Sequence, residues 1–226
     1  MTCPGASRLV ALELSGPAGP LEALLQECDG AGTPRAAALV CHPHPLHGGT
    51  MHNKVVHRVA SVLHARGAAT LRFNFRGVGR SAGRFDRGEG ELEDARAALG
   101  WLRARLPGVP VIVAGFSFGS WVAARLAGLE PAVGTLVLVG PPVAAADFSV
   151  LRALTVPKLV VQGSRDEVCP PADLEAALPG WAPPRLLRMV EGAGHFFDRR
   201  LRELGEAVLD GLRELEGAPG PPRDIP

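Results

Sequence analysis

The chemistry in this chain centres on one serine. Ser117 lies in Gly115-Phe116-Ser117-Phe118-Gly119, a G-x-S-x-G motif, and its flanks are what that motif requires. Val111-Ile112-Val113-Ala114 reads as a buried strand before it, and Ser120-Trp121-Val122-Ala123-Ala124 as a helix after it. A serine on so sharp a strand-to-helix turn sits at strained backbone angles, with the helix packed close behind it. The residues two before and two after must then be small, and both are glycine. Such a turn lifts the hydroxyl clear of the sheet and aims the unpaired N–H groups of the helix start, Phe118 first, at the place where a carbonyl oxygen would gain charge. That is nucleophilic acyl chemistry. It needs a base, an acid to orient the base, and a second oxyanion donor.

Each has a candidate in the expected order. Lys158-Leu159-Val160-Val161-Gln162 reads as a strand, and Asp166 follows it by a short turn. Glu167 is its neighbour and rival, and Asp147 and Asp173 are weaker choices. An Asp in such a place is often only a turn residue, but the carboxyl ends of strands are where open α/β sheets keep their sites. His195, in Glu191-Gly192-Ala193-Gly194-His195, follows the next strand and is the only histidine after residue 64. The order Ser117, Asp166, His195 makes a nucleophile, acid and base triad. The second donor is expected after the strand Ala36–Cys41, in His42-Pro43-His44-Pro45-Leu46. Proline carries no N–H, so His44 is preferred and Leu46 comes second. The cluster His42, His44, His47 and His52 contains H-x-H, a pattern used by zinc hydrolases. The Asp that usually accompanies it is missing and the prolines restrict how the rings converge, so no metal is expected.

These residues need a scaffold. Residues 7–15 and 21–28 read as a two-stranded hairpin around Gly16-Pro17-Ala18-Gly19-Pro20. From residue 36 strands and helices alternate. Strands are expected at 36–41, 68–75, 110–116, 135–139, 158–162 and 185–190, and helices at 54–66, 89–106, 118–128, 171–178 and 196–216. Alternation of this kind makes a mostly parallel sheet of about eight strands with helices on both faces. Gly77-Val78-Gly79 lacks the third glycine of a dinucleotide fingerprint, since Ala82 stands there, and a helix rather than an acid-capped strand follows it. Residues 1–216 are read as one domain, and the Pro- and Gly-rich 217–226 as a disordered tail.

Composition narrows the function classes. The 24 basic and 23 acidic residues nearly cancel, which argues against nucleic acid as a partner. No apolar run is long enough to span a membrane, and no basic-then-apolar leader opens the chain. The four cysteines are scattered without zinc spacing, so a reduced, cytoplasmic setting is the default. The pattern leaves a homodimer open.

Across about residues 36–200 the chain resembles the α/β-hydrolase superfamily, through the elbow, the acid and the histidine. The run His42-Pro43-His44-Pro45-Leu46-His47-Gly48-Gly49-Thr50-Met51-His52-Asn53-Lys54-Val55-Val56, with Phe73-Asn74-Phe75-Arg76-Gly77-Val78-Gly79-Arg80-Ser81, is similar to a group of small lid-less bacterial serine hydrolases, mostly known as predicted hydrolases or carboxylesterases. The resemblance implies an esterase-like fold without a cofactor. The relative dienelactone hydrolase uses a cysteine nucleophile, whereas this chain has Ser117. Only residues 141–157 lie between the strand ending at Gly140 and the next, too few for a cap domain. Phe116, Phe118, Trp121, Phe148 and Phe196 are candidates to line an apolar acyl pocket, although Trp121 fits the core equally well. The expected activity is hydrolysis of small acyl esters through an acyl-enzyme. Thioesterase, peptidase and acyltransferase chemistry on the same triad, or a silent binding protein on this fold, are the alternatives.

Overall fold

The computed structural model describes residues 8–28 and 33–217. Eight strands form one sheet: β1 (Arg8–Gly16), β2 (Gly19–Glu27), β3 (Ala36–Cys41), β4 (Ala68–Phe73), β5 (Val111–Phe116), β6 (Val133–Val139), β7 (Lys158–Gly163) and β8 (Arg185–Val190). Five helices join them: α1 (Lys54–Ala65), α2 (Glu89–Arg105), α3 (Phe118–Leu129), α4 (Pro171–Ala177) and α5 (Leu201–Gly217). The spatial order is β1-β2-β4-β3-β5-β6-β7-β8. The hairpin is antiparallel and β2 also meets β4 antiparallel, while β4 to β8 run parallel. This is the α/β-hydrolase fold without a cap. The segment between β6 and β7 holds one short 3-10 turn, Ser149–Arg152.

The central strands are buried on both faces, so they are apolar throughout and their alternate residues feed two cores. Ala37, Leu39 and Cys41 of β3 pack with Val111 and Val113 of β5 under α2 and α3. Ala36, Ala38 and Val40 pack with Ala114 and Phe116 under α1 and α5. Helix starts follow local chemistry. The Asn53 side chain accepts the Val55 N–H at 2.9 Å to cap α1. The buried Glu91 reaches back to the N–H groups of Asp86 (2.9 Å) and Gly88 (2.7 Å) at the start of α2.

Three expectations shift. The hairpin turn shrinks to Pro17-Ala18, because Gly19 at φ +113 turns the chain and Pro20 already pairs with Ser15. Helix α5 begins at Leu201 rather than 196, since Phe197 (φ +50) and Arg199 (φ +59) hold residues 196–200 in a loop. Cys41 and Cys169 are buried free thiols, whereas Cys28 is disulfide-bonded, a bond the scattered spacing did not suggest. The tail expected at 217–226 lies, beyond Gly217, outside the described residues. No helix among the described residues is long and apolar enough to cross a membrane.

Candidate active site

Ser117 is the residue that ends β5 and starts α3, at φ +53 and ψ −123. A non-glycine residue there stores roughly 1–3 kcal/mol of strain, which the surroundings must hold. Three contacts do so. The Ser117 N–H donates to Val139 O at 2.8 Å, and the Ser117 carbonyl accepts from Ser120 N (2.8 Å) and Ser120 Oγ (2.6 Å). The two glycines are needed for space. A Cβ on Gly115 would lie 2.1 Å from Gly119 O, and one on Gly119 would lie 2.4 Å from Cys41 O and 2.5 Å from His42 O. The second clash shows that the first turn of α3 rests directly on the loop after β3.

The structure brings Ser117, His195 and Asp166 together. His195 Nε2 lies 3.0 Å from Ser117 Oγ, and His195 Nδ1 lies 2.8 Å from Asp166 Oδ2. All three residues are at least nine-tenths buried. Two aromatic rings flank the imidazole: Phe116 lies 4.9 Å away between ring centroids, tilted against it, and Phe196 5.1 Å away, edge-on. Gly140, at φ +54, leaves room for it, since a Cβ there would meet His195 Cε1 at 3.3 Å.

The Asp166 carboxylate has every acceptor site filled. Oδ1 accepts the N–H groups of Val168 (3.0 Å) and Cys169 (2.8 Å), and Oδ2 accepts from His195 and from Gln162 Nε2 at 3.0 Å. Glu167, the rival acid, points to solvent. Asp147 is exposed and caps its own turn through Ser149, and Asp173 sits in the first turn of α4. Burial and the neighbouring Asp166 push the Cys169 thiol up to about 12. Its sulfur, with Asp166 and His195, makes the one group of three metal-type ligands among the described residues, but the oxygens and nitrogens of that group are already spent in the hydrogen bonds just given.

The loop after β3 is held from β4 and the loop after it. His42 is fully buried, donates from Nδ1 to Pro43 O at 2.6 Å and accepts the Phe75 N–H at Nε2 at 3.0 Å. Burial pushes its pKa down to about 4, so it is a neutral pin. Asn74 Oδ1 accepts the Met51 N–H at 2.8 Å, and Arg72 Nη1 donates to Met51 O at 2.9 Å. His44 Nδ1 accepts the Leu46 N–H at 3.2 Å, which removes Leu46 as an oxyanion donor. The N–H groups of His44 and Phe118 have no partner among the described residues. The four histidines do not converge: His42 is buried behind the loop, His44 stacks on His47 at 4.3 Å, and His52 is exposed.

The glycine-rich loop is consumed internally. Arg76 forms a two-pronged pair with Asp94 (2.8 and 3.0 Å), and Glu22 takes Asn74 Nδ2 (2.8 Å) and Arg80 N (3.0 Å). Of the aromatic candidates, Phe118 packs 5.0 Å from the His44 ring, while Phe148 is buried against Trp181 at 5.8 Å. Trp121 is neither core nor free. It is half-buried, donates to Asp147 O at 2.9 Å and lies under Arg125. Three of the exposed large apolar residues lie on loops that carry site residues: Leu46 (68% exposed), Val168 (63%) and Phe196 (46%).

The residue that pattern reading passed over is Gln162. It is a fully buried amide at the end of β7, and its signal was a polar side chain in an otherwise apolar run.

Comparison with known proteins agrees with this architecture. A family profile described as serine aminopeptidase, S33, matches residues 34–153. An uncharacterized protein of Rickettsia prowazekii is 36% identical over 211 residues, covering 89% of this chain and 88% of its own. An α/β serine hydrolase homologue from Coxiella burnetii superposes with a TM-score of 0.85 at 41% identity, covering 90% of this chain and 97% of that one. A lid-less α/β serine hydrolase from Xanthomonas campestris does so with a TM-score of 0.85 at 38% identity, covering 96% and 98%.

Proposed function

The chain belongs to the α/β-hydrolase superfamily, within the family described as serine aminopeptidase, S33, and on that premise we propose that it is a carboxylesterase acting on small acyl esters through Ser117, Asp166 and His195. The observation that carries this reading is a continuous hydrogen-bonded chain, Ser117 Oγ to His195 Nε2 at 3.0 Å and His195 Nδ1 to Asp166 Oδ2 at 2.8 Å. We take the chain through residue 216 as a single hydrolase domain, since its eight strands form one sheet.

In this mechanism His195 Nε2 removes the Ser117 proton as Oγ attacks the ester carbonyl. Asp166 keeps the Nδ1–H tautomer in place and stabilises the imidazolium that forms. The negative oxygen of the tetrahedral intermediate is held by the N–H groups of Phe118 and His44, with the positive end of α3 behind the first. His195 then gives its proton to the leaving alcohol. Water, activated by the same imidazole, releases the acid from the acyl-enzyme. The exposed Leu46, Val168 and Phe196 suit an apolar acyl or alcohol group lying on an uncovered surface.

The test is hydrolysis of p-nitrophenyl acetate, butyrate and octanoate by wild type and Ser117→Ala, with and without a chelator. Turnover that vanishes in the variant and ignores the chelator supports the reading. Turnover that survives in Ser117→Ala overturns it. Thioester and anilide substrates in the same assay separate thioesterase and peptidase activity from ester hydrolysis.

A further inference from the structure

We propose that Gln162 is a positioning residue for the reaction, a fixed amide donor that holds the charge of Asp166 and sets how strongly His195 acts as a base. This rests on the triad reading given above.

Gln162 is fully buried on β7, between β6 and β8, in a strand whose other buried residues include Leu159, Val160 and Val161. Its orientation is dictated by what surrounds it. Both groups within reach are acceptors: Asp166 Oδ2 at 3.0 Å and the Cys169 carbonyl at 2.6 Å. Only the NH2 end of the amide can face two acceptors, so both of its protons are committed. The consequence is that Gln162 Oε1 is left buried without a partner among the described residues. An orphaned carbonyl in the core is unfavourable, and a hydrophobic side chain of the same length would remove it. The amide is explained by what its nitrogen does.

That nitrogen acts on the same oxygen as the base. Asp166 Oδ2 receives both the His195 Nδ1–H and the Gln162 N–H. The groups facing the carboxylate are the imidazole from the loop after β8, the amide from β7, and the Val168 and Cys169 N–H groups and the Cys169 thiol from its own loop. No Lys or Arg pairs with it among the described residues. The charge of Asp166 is therefore dispersed by neutral donors alone, and Gln162 supplies the one that shares Oδ2 with the base. Removing it leaves a more concentrated charge against the imidazole. The Asp166–His195 pair then holds its proton to higher pH.

The experiment is the pH profile of kcat/KM for an ester substrate in wild type, Gln162→Met and Gln162→Asn. Methionine keeps the length and removes the donor. Asparagine keeps an amide but draws it back from Oδ2 by one methylene, and serves if the methionine variant does not fold. Folding is checked by circular dichroism and thermal unfolding. The acid limb, where the base must be unprotonated, is expected to move up by roughly 0.5–1 pH unit in either folded variant, with KM little changed. A purely structural role would lower stability and the plateau while leaving the limb where it was. A folded variant whose limb coincides with that of wild type overturns the proposal. Wild-type protein that neither turns over esters nor reacts with a fluorophosphonate refutes the triad reading instead.

Discussion

Two loops at the same edge of the sheet treat their polar groups in opposite ways. In the loop after β7 the Asp166 carboxylate is saturated: it accepts from Val168, Cys169, His195 and Gln162. In the loop after β3 the supporting groups are spent behind the backbone, on Phe75, Pro43 and Met51, and the His44 N–H is left without a partner beside that of Phe118. The first loop must hold a permanent charge still, so it saturates it. In the proposed mechanism the second receives a charge that exists only briefly, and its donors are left free and held rigidly in place. A polar group satisfied at rest reads as support, and a fixed donor left free reads as a place for substrate.

The contrast can be broken from either side. The largest effect is expected on the saturated side. Asp166→Asn keeps the shape but presents an amide to His195 and favours the wrong tautomer, so kcat should fall about 10⁴-fold with the fold unchanged. A loss below about tenfold would mean that Asp166 does not orient the base. On the other side the donor can be deleted without deleting the residue. His44 has φ −53 and ψ 123, angles that proline adopts. His44→Pro should lower kcat by about 10²–10³-fold, while His44→Ala, which keeps the N–H, should stay within a few-fold of wild type. Equal losses in the two variants would move the oxyanion donor elsewhere.

The pin beneath the donor loop should show in stability. His42 is held neutral, its pKa pushed down by burial to about 4, whereas the unfolded chain takes up that proton near 6.5. As pH falls below about 6.5 the unfolded state therefore binds the proton first. The contribution of His42 is fully present above 6.5 and is lost progressively down to about 4, roughly 3 kcal/mol in all. Urea unfolding at pH 7 and pH 4 measures this, and His42→Phe should flatten that part of the slope even if it lowers stability throughout. The smallest effect belongs to the exposed apolar residues. Leu46→Ser should weaken kcat/KM for an octanoyl ester by a few-fold, about 1 kcal/mol, and leave the acetyl ester unchanged. Equal loss on both esters would remove Leu46 from acyl recognition.

Much of this was legible in the residue pattern, and the misses have physical reasons. Ala36 to Cys41 and Val111 to Phe116 read as buried strands because burial on both faces forces unbroken apolar runs. Ser117 was legible because its turn demands glycines at fixed offsets. The start of α5 was not: Phe196-Phe197 looks like helix-face material, and only the left-handed backbone at Phe197 and Arg199 shows that these residues serve the loop bearing His195. His42 and Asn74 stand within the family-like segments and Arg72 within the expected strand at 68–75, but their task of holding the donor loop depends on β3 and β4 being neighbours. Gln162 interrupts an apolar run, but its role was hidden for a similar reason. A glutamine at a strand end is ordinarily a surface residue, and its burial follows from β7 lying inside the sheet order.

Ser117 is proposed as the nucleophile, and covalent labelling tests this without knowledge of the natural substrate. The protein would be treated with a fluorophosphonate, digested, and the modified peptide mapped by mass spectrometry. One adduct is expected, on Ser117, with none in His195→Ala. Failure to label, or an adduct on another residue with Ser117 untouched, would contradict it.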